Sequence, residues 1–539
     1  MAPVFHKMTS APLFSFVTTW LATWFTPFWL FALGITLGLI VLFAIGGALW
    51  GAGKKFPKIR PFTDELPIVV REGLLMPVLI VAGILAVVTI LPLVLGVLDI
   101  PTVNYPGFLN SLVRLPFVHD SSYSIATPPG EKQPDGTFKQ QVPLNFRAVE
   151  VASLELKTNH KVSLKIPKES ASRPGTAIPL RPEPAKPDTS KSDSLKPDKP
   201  WKYVRGSGQE NPFAGEVRYV DAVSESNEPI QLDVVAGMDV EFPEVRFVLG
   251  MAGAFLSLFA VYFAIRFSFP KISAVAVAAC KEGMGQPLFY LMLGLGLVCL
   301  LFFIYIPLYT FGEDIKMYKE AGLTLILIFS ILVALWTSSV SLSEEIEGKT
   351  AVTVLSKPIS RRQFVLGKFL GVLGPVAVIF IVLGTFLLLT TSFKVVYDGR
   401  ESAKATILWT ECYKEMVSLL PGLALFFMEV IVLTSISVAL STRLPMLPTL
   451  LICFSIYALG NLVPLIVGSS LHKLPLVAFI GQLAATVLPV LDHFNIQAAI
   501  DGGTEVPSEY LWFTFAYCAL FSTMALLVGL FLFEDRDVA

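Results

Sequence analysis

The sequence predicts an all-α polytopic membrane protein of about nine transmembrane helices, with a small β-rich extracytoplasmic domain inserted after the second. Composition is the first observation behind that class. Apolar residues make 54% of the 539-residue chain and charged residues 15%, against about 25% charged in soluble domains. Mean hydropathy is +0.67. The second is run length: the apolar runs are continuous and roughly 20 residues long, the length a helix needs to cross hydrocarbon, and they lack the alternation of barrel strands. Hydrocarbon holds no water for backbone groups, so spans must be helices or closed barrels. The third is the polar segment 99–246, where alternation of apolar and polar residues replaces the long runs.

Several classes are excluded at once. The net charge of −1 gives no electrostatic footing for nucleic acid. Cys280, Cys299, Cys412, Cys453 and Cys518 are dispersed, with no CxxC or Cys/His spacing, so neither a disulfide framework nor a zinc site is expected. The five histidines are equally scattered and suggest no metal cluster.

The N-terminus lacks the basic, short-apolar, small-residue order of a cleavable signal. Leu13–Thr26 reads as interfacial, aided by Trp20 and Trp24, and Phe28–Trp50 as the first span; a tight helical hairpin about Pro27 is the alternative. The remaining spans are expected near 73–98, 247–268, 288–310, 321–342, 367–392, 417–441, 447–468 and 510–533. Domains follow as 1–98 (interfacial segment and two helices), 99–246 (β-rich), 247–268 (third helix) and 269–539 (six-helix core). Within 99–246, strands are expected over Val142–Leu156, Lys161–Ile166, Glu216–Val220 and Ile230–Val235, around a disordered Pro/Lys/Ser linker at 168–200.

Charge sets orientation. The loop 51–72 carries Lys54, Lys55, Lys58, Arg60 and Arg71, and the loop 343–368 carries Lys349, Lys357, Arg361 and Arg362; four spans separate them, so both lie on one side. Lys and Arg accumulate in cytoplasmic loops. Both loops and the C-terminal Glu534–Ala539 are therefore expected in the cytoplasm, with 99–246 outside, in a cytoplasmic (inner) membrane. Between the last two spans, Leu476–Leu491 is short and broken by Gly481 and Pro489, and reads as re-entrant or interfacial on the outer face.

The loop Ser343–Lys368 holds more order than a connector needs. It ends its first turn in Gly348-Lys349-Thr350, as a P-loop does. A P-loop also needs glycine where Ser343 stands and a preceding buried strand, and Glu344, Glu345 and Glu347 would repel phosphate. This segment does not bind ATP by that route. It reads as two short helices. Ile346, Thr350, Thr353 and Val354 share a face, and the three glutamates suit a helix N-terminus. Pro358 stops the first helix, and Ser360-Arg361-Arg362-Gln363 is a capping box starting the second.

Glu344-Glu345-x-Glu347-Gly348-Lys349-Thr350, Leu355-Ser356-Lys357-Pro358, Ser360-Arg361-Arg362 and Gly367-Lys368 together resemble the first cytoplasmic loop of ABC-2-type permeases. The resemblance runs over about 274–539. It takes in an amphipathic elbow at Ile272–Gly283, six spans and the terminal Leu530-Phe531-x-Phe533-Glu534-x-Arg536-Asp537 cluster. Within that family the chain is most similar to permeases of multicopper-enzyme maturation, a subgroup that Leu488-Pro489-x-Leu491-Asp492-x-Phe494 fits. Lys349, set between Gly and Thr, departs from the usual pattern. The first three spans and 99–246 look like an addition to the six-span core.

The resemblance implies a transport subunit without catalytic residues. Two permease copies, or one copy and a homologue, would line the path in the lipid bilayer. ATP and magnesium would bind on separate ABC ATPase subunits, with no cofactor on this chain. The loop would be the coupling helix, with Glu344, Glu345, Ile346, Glu347, Gly348, Lys349, Thr350, Pro358, Arg361, Arg362, Gly367 and Lys368 as its residues. A membrane-bound enzyme and a sensory or assembly protein with an ABC-like core are the alternatives. The former should show convergent carboxylates or a metal set near one interface, and the sequence shows neither.

Glu429 is the other residue singled out, a carboxylate in mid-span. It reads either as part of the substrate path or dimer seam, or as a carboxyl bonded to Thr434, Ser435 or a neighbouring helix, with Asn461 as a partner in the next span. Asp492 and His493, adjacent on an outer loop, read as structural.

Overall fold

The computed structural model describes residues 12–55, 75–97, 103–127, 131–132, 138–159, 162–165, 194–195, 200–205, 216–224, 229–306, 313–344, 359–401, 407–468, 488–502, 504 and 506–534. The chain divides into two compact units, one of Met1–Thr19 with Leu91–Gly250 and one of Trp20–Ile90 with Met251–Ala539.

The first unit is a two-sheet β structure preceded by a short helix, Tyr105–Arg114, which Asn104 caps by accepting from the Gly107 N–H at 3.2 Å. One antiparallel sheet takes Ser121–Thr127 (β1), Ile230–Met238 (β9), Val151–Thr158 (β4) and Trp201–Val204 (β7) in that spatial order. The other takes Glu131–Lys132 (β2), Phe138–Arg147 (β3), Glu216–Ser224 (β8), Val162–Lys165 (β5) and Ser194–Leu195 (β6). Alternation builds the core: Ile230, Leu232, Val234 and Ala236 are buried on β9 while Gln231, Asp233 and Val235 are exposed. They pack with Val142, Leu144, Leu154, Leu156, Val217 and Val220.

The expected run 142–156 is two strands, because a 3-10 turn at Ala148–Glu150 separates β3, which pairs in one sheet, from β4, which pairs in the other. The pairing of β3 slips between Pro143 and Phe146; proline has no N–H to give a ladder. Strands β1 and β7 lie outside the expected set. Most of the linker expected at 168–200 lies outside the described residues, but its Ser194–Leu195 pairs with β5.

The second unit is helical. Helix α1 runs unbroken over Pro12–Lys55, with Pro27 inside it. The expected interfacial segment and first span are thus one helix, and the hairpin alternative does not occur. Pro27 removes one ladder donor without ending the helix, a loss that membrane helices tolerate when neighbours satisfy the freed backbone. Trp20 and Trp24 pack edge-on against Phe393 at 5.7 and 5.6 Å between ring centroids, so they are not a separate surface segment. Leu75–Val97 (α2) lies against α1, where the Trp29 indole donates to the Thr89 carbonyl at 3.1 Å. Phe255 and Phe259 of Val245–Ser268 complete that cluster.

The six-helix core then opens on the elbow helix Pro270–Met284, which matches the expected amphipathic elbow. It continues through Pro287–Tyr305, Asp314–Ser339, Arg361–Glu401, Leu419–Ser441, Met446–Gly468 and Ser508–Glu534. Among the described residues eight helices are long and apolar enough to cross a membrane, and the apolar Met446–Leu462 is a shorter ninth. These correspond one for one to the nine expected spans. The expected re-entrant segment lies mostly outside the described residues. Its described end holds a 3-10 turn at Leu491–Phe494 and the short helix Gln497–Gly502.

Candidate functional site

The loop 343–368 is visible at its two ends. Asp314–Ser339 finishes in a π-helical turn, Val340–Glu344, and Arg361–Glu401 starts the next span. Glu345, Ile346, Glu347, Gly348, Lys349, Thr350 and Pro358 lie outside the described residues. The capping box is present as its sequence predicts. The Ser360 N–H donates to Gln363 Oε1 at 3.1 Å, and the Gln363 N–H donates to Ser360 Oγ at 3.3 Å. Two orphan donors at the helix start are thereby satisfied.

Lys368 ties the two ends together. Its side chain is 5% exposed, and Nζ donates to the Ser341 carbonyl at 2.9 Å and to Ser341 Oγ at 2.8 Å. Ser341 Oγ in turn donates to Glu282 Oε2 at 2.9 Å, and Lys368 Nζ stands 3.6 Å from the same carboxylate. The elbow helix, the end of one span and the start of the next thus meet at one ammonium. Glu282 is 39% exposed, so water screens the longer Lys368–Glu282 contact, and the short bonds to Ser341 are the stronger element.

Arg361 faces elsewhere. Its Nη1 donates to the Phe533 carbonyl at 3.1 Å and its guanidinium lies 5.6 Å from the Phe533 ring centre. Arg443 Nε donates to the Leu532 carbonyl at 2.9 Å. The last carbonyls of a helix have no intrahelical donor and carry the negative end of its dipole. Two arginines, one at the start of another span and one in the turn after Leu419–Ser441, therefore cap the final helix. Arg362 is exposed.

Gly367 has a packing reason to be glycine. A Cβ there would lie 2.6 Å from Val275 Cβ and 3.0 Å from the Ile272 carbonyl, and one on Gly371 would lie 2.5 Å from Ala279 Cβ. These two small residues, four apart, let the elbow backbone approach the long span closely. Ser341 and Arg443 are the members of this cluster that the sequence does not single out; Glu282 belongs to the Lys281-Glu282 pair of the amphipathic elbow.

Two more lysines at the opposite ends of these spans behave like Lys368. Lys394, 3% exposed, donates to the Ile304 carbonyl at 3.0 Å and stands 2.8 Å from Asp398. Lys319, 5% exposed, stands 2.6 Å from Glu415 Oε2 and donates to Ser418 Oγ at 3.1 Å. Neither was singled out from the sequence, although Lys394 and Asp398 have the i, i+4 spacing of a helical ion pair.

Glu429 is buried, and its Oε1 has no hydrogen-bond partner. Thr434 and Ser435 do not satisfy it: their hydroxyls donate to the Val430 and Val432 carbonyls at 2.6 Å each. Asn461, the partner named from sequence, shares a cavity wall with Glu429, and its Nδ2 donates to the Tyr457 carbonyl at 3.0 Å. Glu429 lies ten residues into its helix, roughly 15 Å along the axis at 1.5 Å per residue. An ionised carboxylate at that depth costs several kcal/mol (~3 or more) without a partner or water. It lines a cavity of about 130 Å³ whose wall also includes Glu320, Tyr457, Asn461, Asn495 and Gln497. His493 packs its ring on Tyr517 and its carbonyl accepts from Tyr510, which is a structural role. A larger hollow of about 390 Å³ in the β unit has Glu150 in its wall, and that carboxylate is held by Arg114 at 2.8 Å.

A search of curated proteins finds no match. The family model described as ABC-2 family transporter protein matches residues 84–538. The match begins in the second hydrophobic helix. It therefore includes the segment 99–246, which the sequence reading had set apart as an addition. With nearly the whole chain covered and the membrane-crossing helices in place, this integral membrane protein belongs to the ABC-2 family of transporter proteins.

Proposed function

We propose that this chain is the permease subunit of an ATP-driven exporter in the cytoplasmic membrane, driven by a separate ATPase that docks on the loop 343–368. Proteins of this family are generally transport subunits without an ATPase site and generally partner with an ABC ATPase. ATP and magnesium belong on that partner. A second permease copy or a homologue completes the path, and the loop 51–72 and the C-terminus face the ATPase side.

The observation that carries the reading is the clamp at the two ends of the loop. Lys368 joins the turn that leaves one span to the helix that starts the next, and both to the elbow through Glu282. Arg361 joins the same helix start to the end of the last helix. A force on the loop therefore reaches four helices through short polar contacts. The acidic residues Glu344, Glu345 and Glu347 supply the docking charge, and Ile346 and Val354 the apolar contact.

Replacing Glu344, Glu345 and Glu347 together by alanine tests this. The expected result is an ATPase that dissociates about tenfold more readily, ~1.4 kcal/mol, or hydrolyses ATP without being coupled to the permease. Co-purification by size exclusion and ATP turnover in the reconstituted complex are the readouts. Unchanged association together with unchanged coupling overturns the docking assignment.

A further inference from the structure

The cavity beside Glu429 has a composition that selects a ligand. Two carboxylates, Glu320 and Glu429, stand in its wall, and among the described residues no lysine, arginine or histidine does. The nearest lysine in sequence, Lys319, is committed to Glu415 and Ser418. Glu429 is more than nine-tenths buried and still has an oxygen without a donor. The remaining wall is apolar and aromatic, with Leu323, Leu327 and Phe426.

We propose that this cavity binds a primary ammonium group carried on a short apolar body. An ammonium brings three donors and no acceptor, so it supplies the bond that Glu429 Oε1 lacks. Glu320 adds negative charge to the wall, an arriving ammonium supplies the partner with which Glu429 can ionise at that depth, and the face of an aromatic ring attracts cations. An anion is repelled by Glu320 and opposes ionisation of Glu429. A neutral alcohol satisfies one oxygen but brings no charge to pair with either carboxylate. A divalent metal wants six or more oxygens, and much of this wall is hydrocarbon. The size fits too: about 130 Å³ is close to the ~150 Å³ of a cavity that accepts benzene.

The segments that build the wall are the start of Asp314–Ser339, the middle of Leu419–Ser441, Met446–Gly468 and the short helix Gln497–Gly502. Glu320 and Gln497 lie near helix ends, so the cavity leads from an end of the core toward mid-span. The proposal rests on the transport reading only for calling the ligand a cargo. Binding itself needs no ATPase.

The test is fluorine NMR of 3-fluoropropylammonium with the full chain in lipid nanodiscs, corrected with empty discs. Saturable binding is expected, with 3-fluoropropanol and 3-fluoropropanoate binding at least about tenfold more weakly. Glu429→Gln, which keeps shape and removes charge, weakens the ammonium by about tenfold or more, and Glu320→Gln weakens it less. Ile500→Trp, which fills the cavity from its wall and leaves both carboxylates in place, abolishes binding and covers the case in which E429Q does not fold. Equal binding of the alcohol, wild-type affinity in E429Q or in I500W, or displacement by millimolar calcium each overturns the proposal. Failure here with the ATPase still co-purifying removes the cargo class and leaves the transporter reading. Loss of the ATPase with ammonium binding intact does the reverse.

Discussion

The β unit and the helical unit place their charges in opposite ways. In the β unit the sheet core is apolar, and the cations of its ion pairs reach solvent. Lys139–Asp221 at 2.8 Å has the lysine 37% exposed, and the Lys202–Glu155 pair has its lysine 62% exposed. In the helical unit Lys319, Lys368 and Lys394 are at most 5% exposed. Two of them donate to carbonyls near helix ends, at Ile304 and Ser341, and Arg361 and Arg443 do the same at Phe533 and Leu532. The difference follows from where each unit keeps its unsatisfied backbone. A sheet spends its carbonyls in ladders. A bundle ends every helix with carbonyls that lack donors, and a cation from a neighbouring helix answers both the missing bond and the dipole. Charge in this bundle is a joining device.

The sharpest way to break that contrast is to damage each unit by its own rule. Leu154, buried on β4, should cost about 2–5 kcal/mol as Leu154→Ala. Hydrogen exchange on the full chain should show β4 and β9 amides losing protection while helical amides keep theirs; equal loss in both would mean that the units do not hold their stability separately. Next in size is Lys368→Met, which removes two charge-assisted bonds to Ser341 and should cost about 1.5–3 kcal/mol, read as a lowered melting temperature in nanodiscs. A variant as stable as wild type would reduce Lys368 to an ordinary surface lysine.

The smallest effect belongs to Lys139→Met, about 1 kcal/mol, because solvent screens the lysine end of the pair, although the largely buried Asp221 loses its cation. The hydrogen bond to Asp221 raises the Lys139 pKa above its ordinary 10.5. A cation with a raised folded pKa stabilises fully below its unfolded value, and the gain disappears as pH rises through the folded one. The difference between wild type and K139M should therefore hold at neutral pH and vanish only in strong alkali. A difference that disappears below pH 9 would assign it to some other group.

Much of this was legible in the chain. Continuous apolar runs located the spans, alternation located β8 and β9, and the order Ser360-x-x-Gln363 located a helix start to the residue. Those features are local, and local chemistry decides them. Pro27 misled because its ring removes one hydrogen bond whether a helix breaks or merely tolerates it, and packing against Phe393 is what decides. Strands β1 and β7 escaped because SSYSIAT and WKYV are short, and the sheet neighbours that stabilise them are distant in sequence. Glu429 was conspicuous as a carboxylate among apolar residues, and Asn461 could be named beside it. Glu320, Tyr457, Asn495 and Gln497 could not, since nothing in a linear sequence brings four segments to one cavity. Lys368 read as a loop residue because Ser341 and Glu282, which bury it, stand 27 and 86 positions away.

The glycine contacts between elbow and span have a mechanical consequence. At Gly367 and Gly371 only the short side chains of Val275 and Ala279 stand between the two backbones; with the Ile272 carbonyl they already occupy the room a methyl would take. A joint lined with long flexible side chains absorbs a small push by changing rotamers. This one has only short ones. Elbow and span should therefore move together, so that a displacement applied at one is passed to the other.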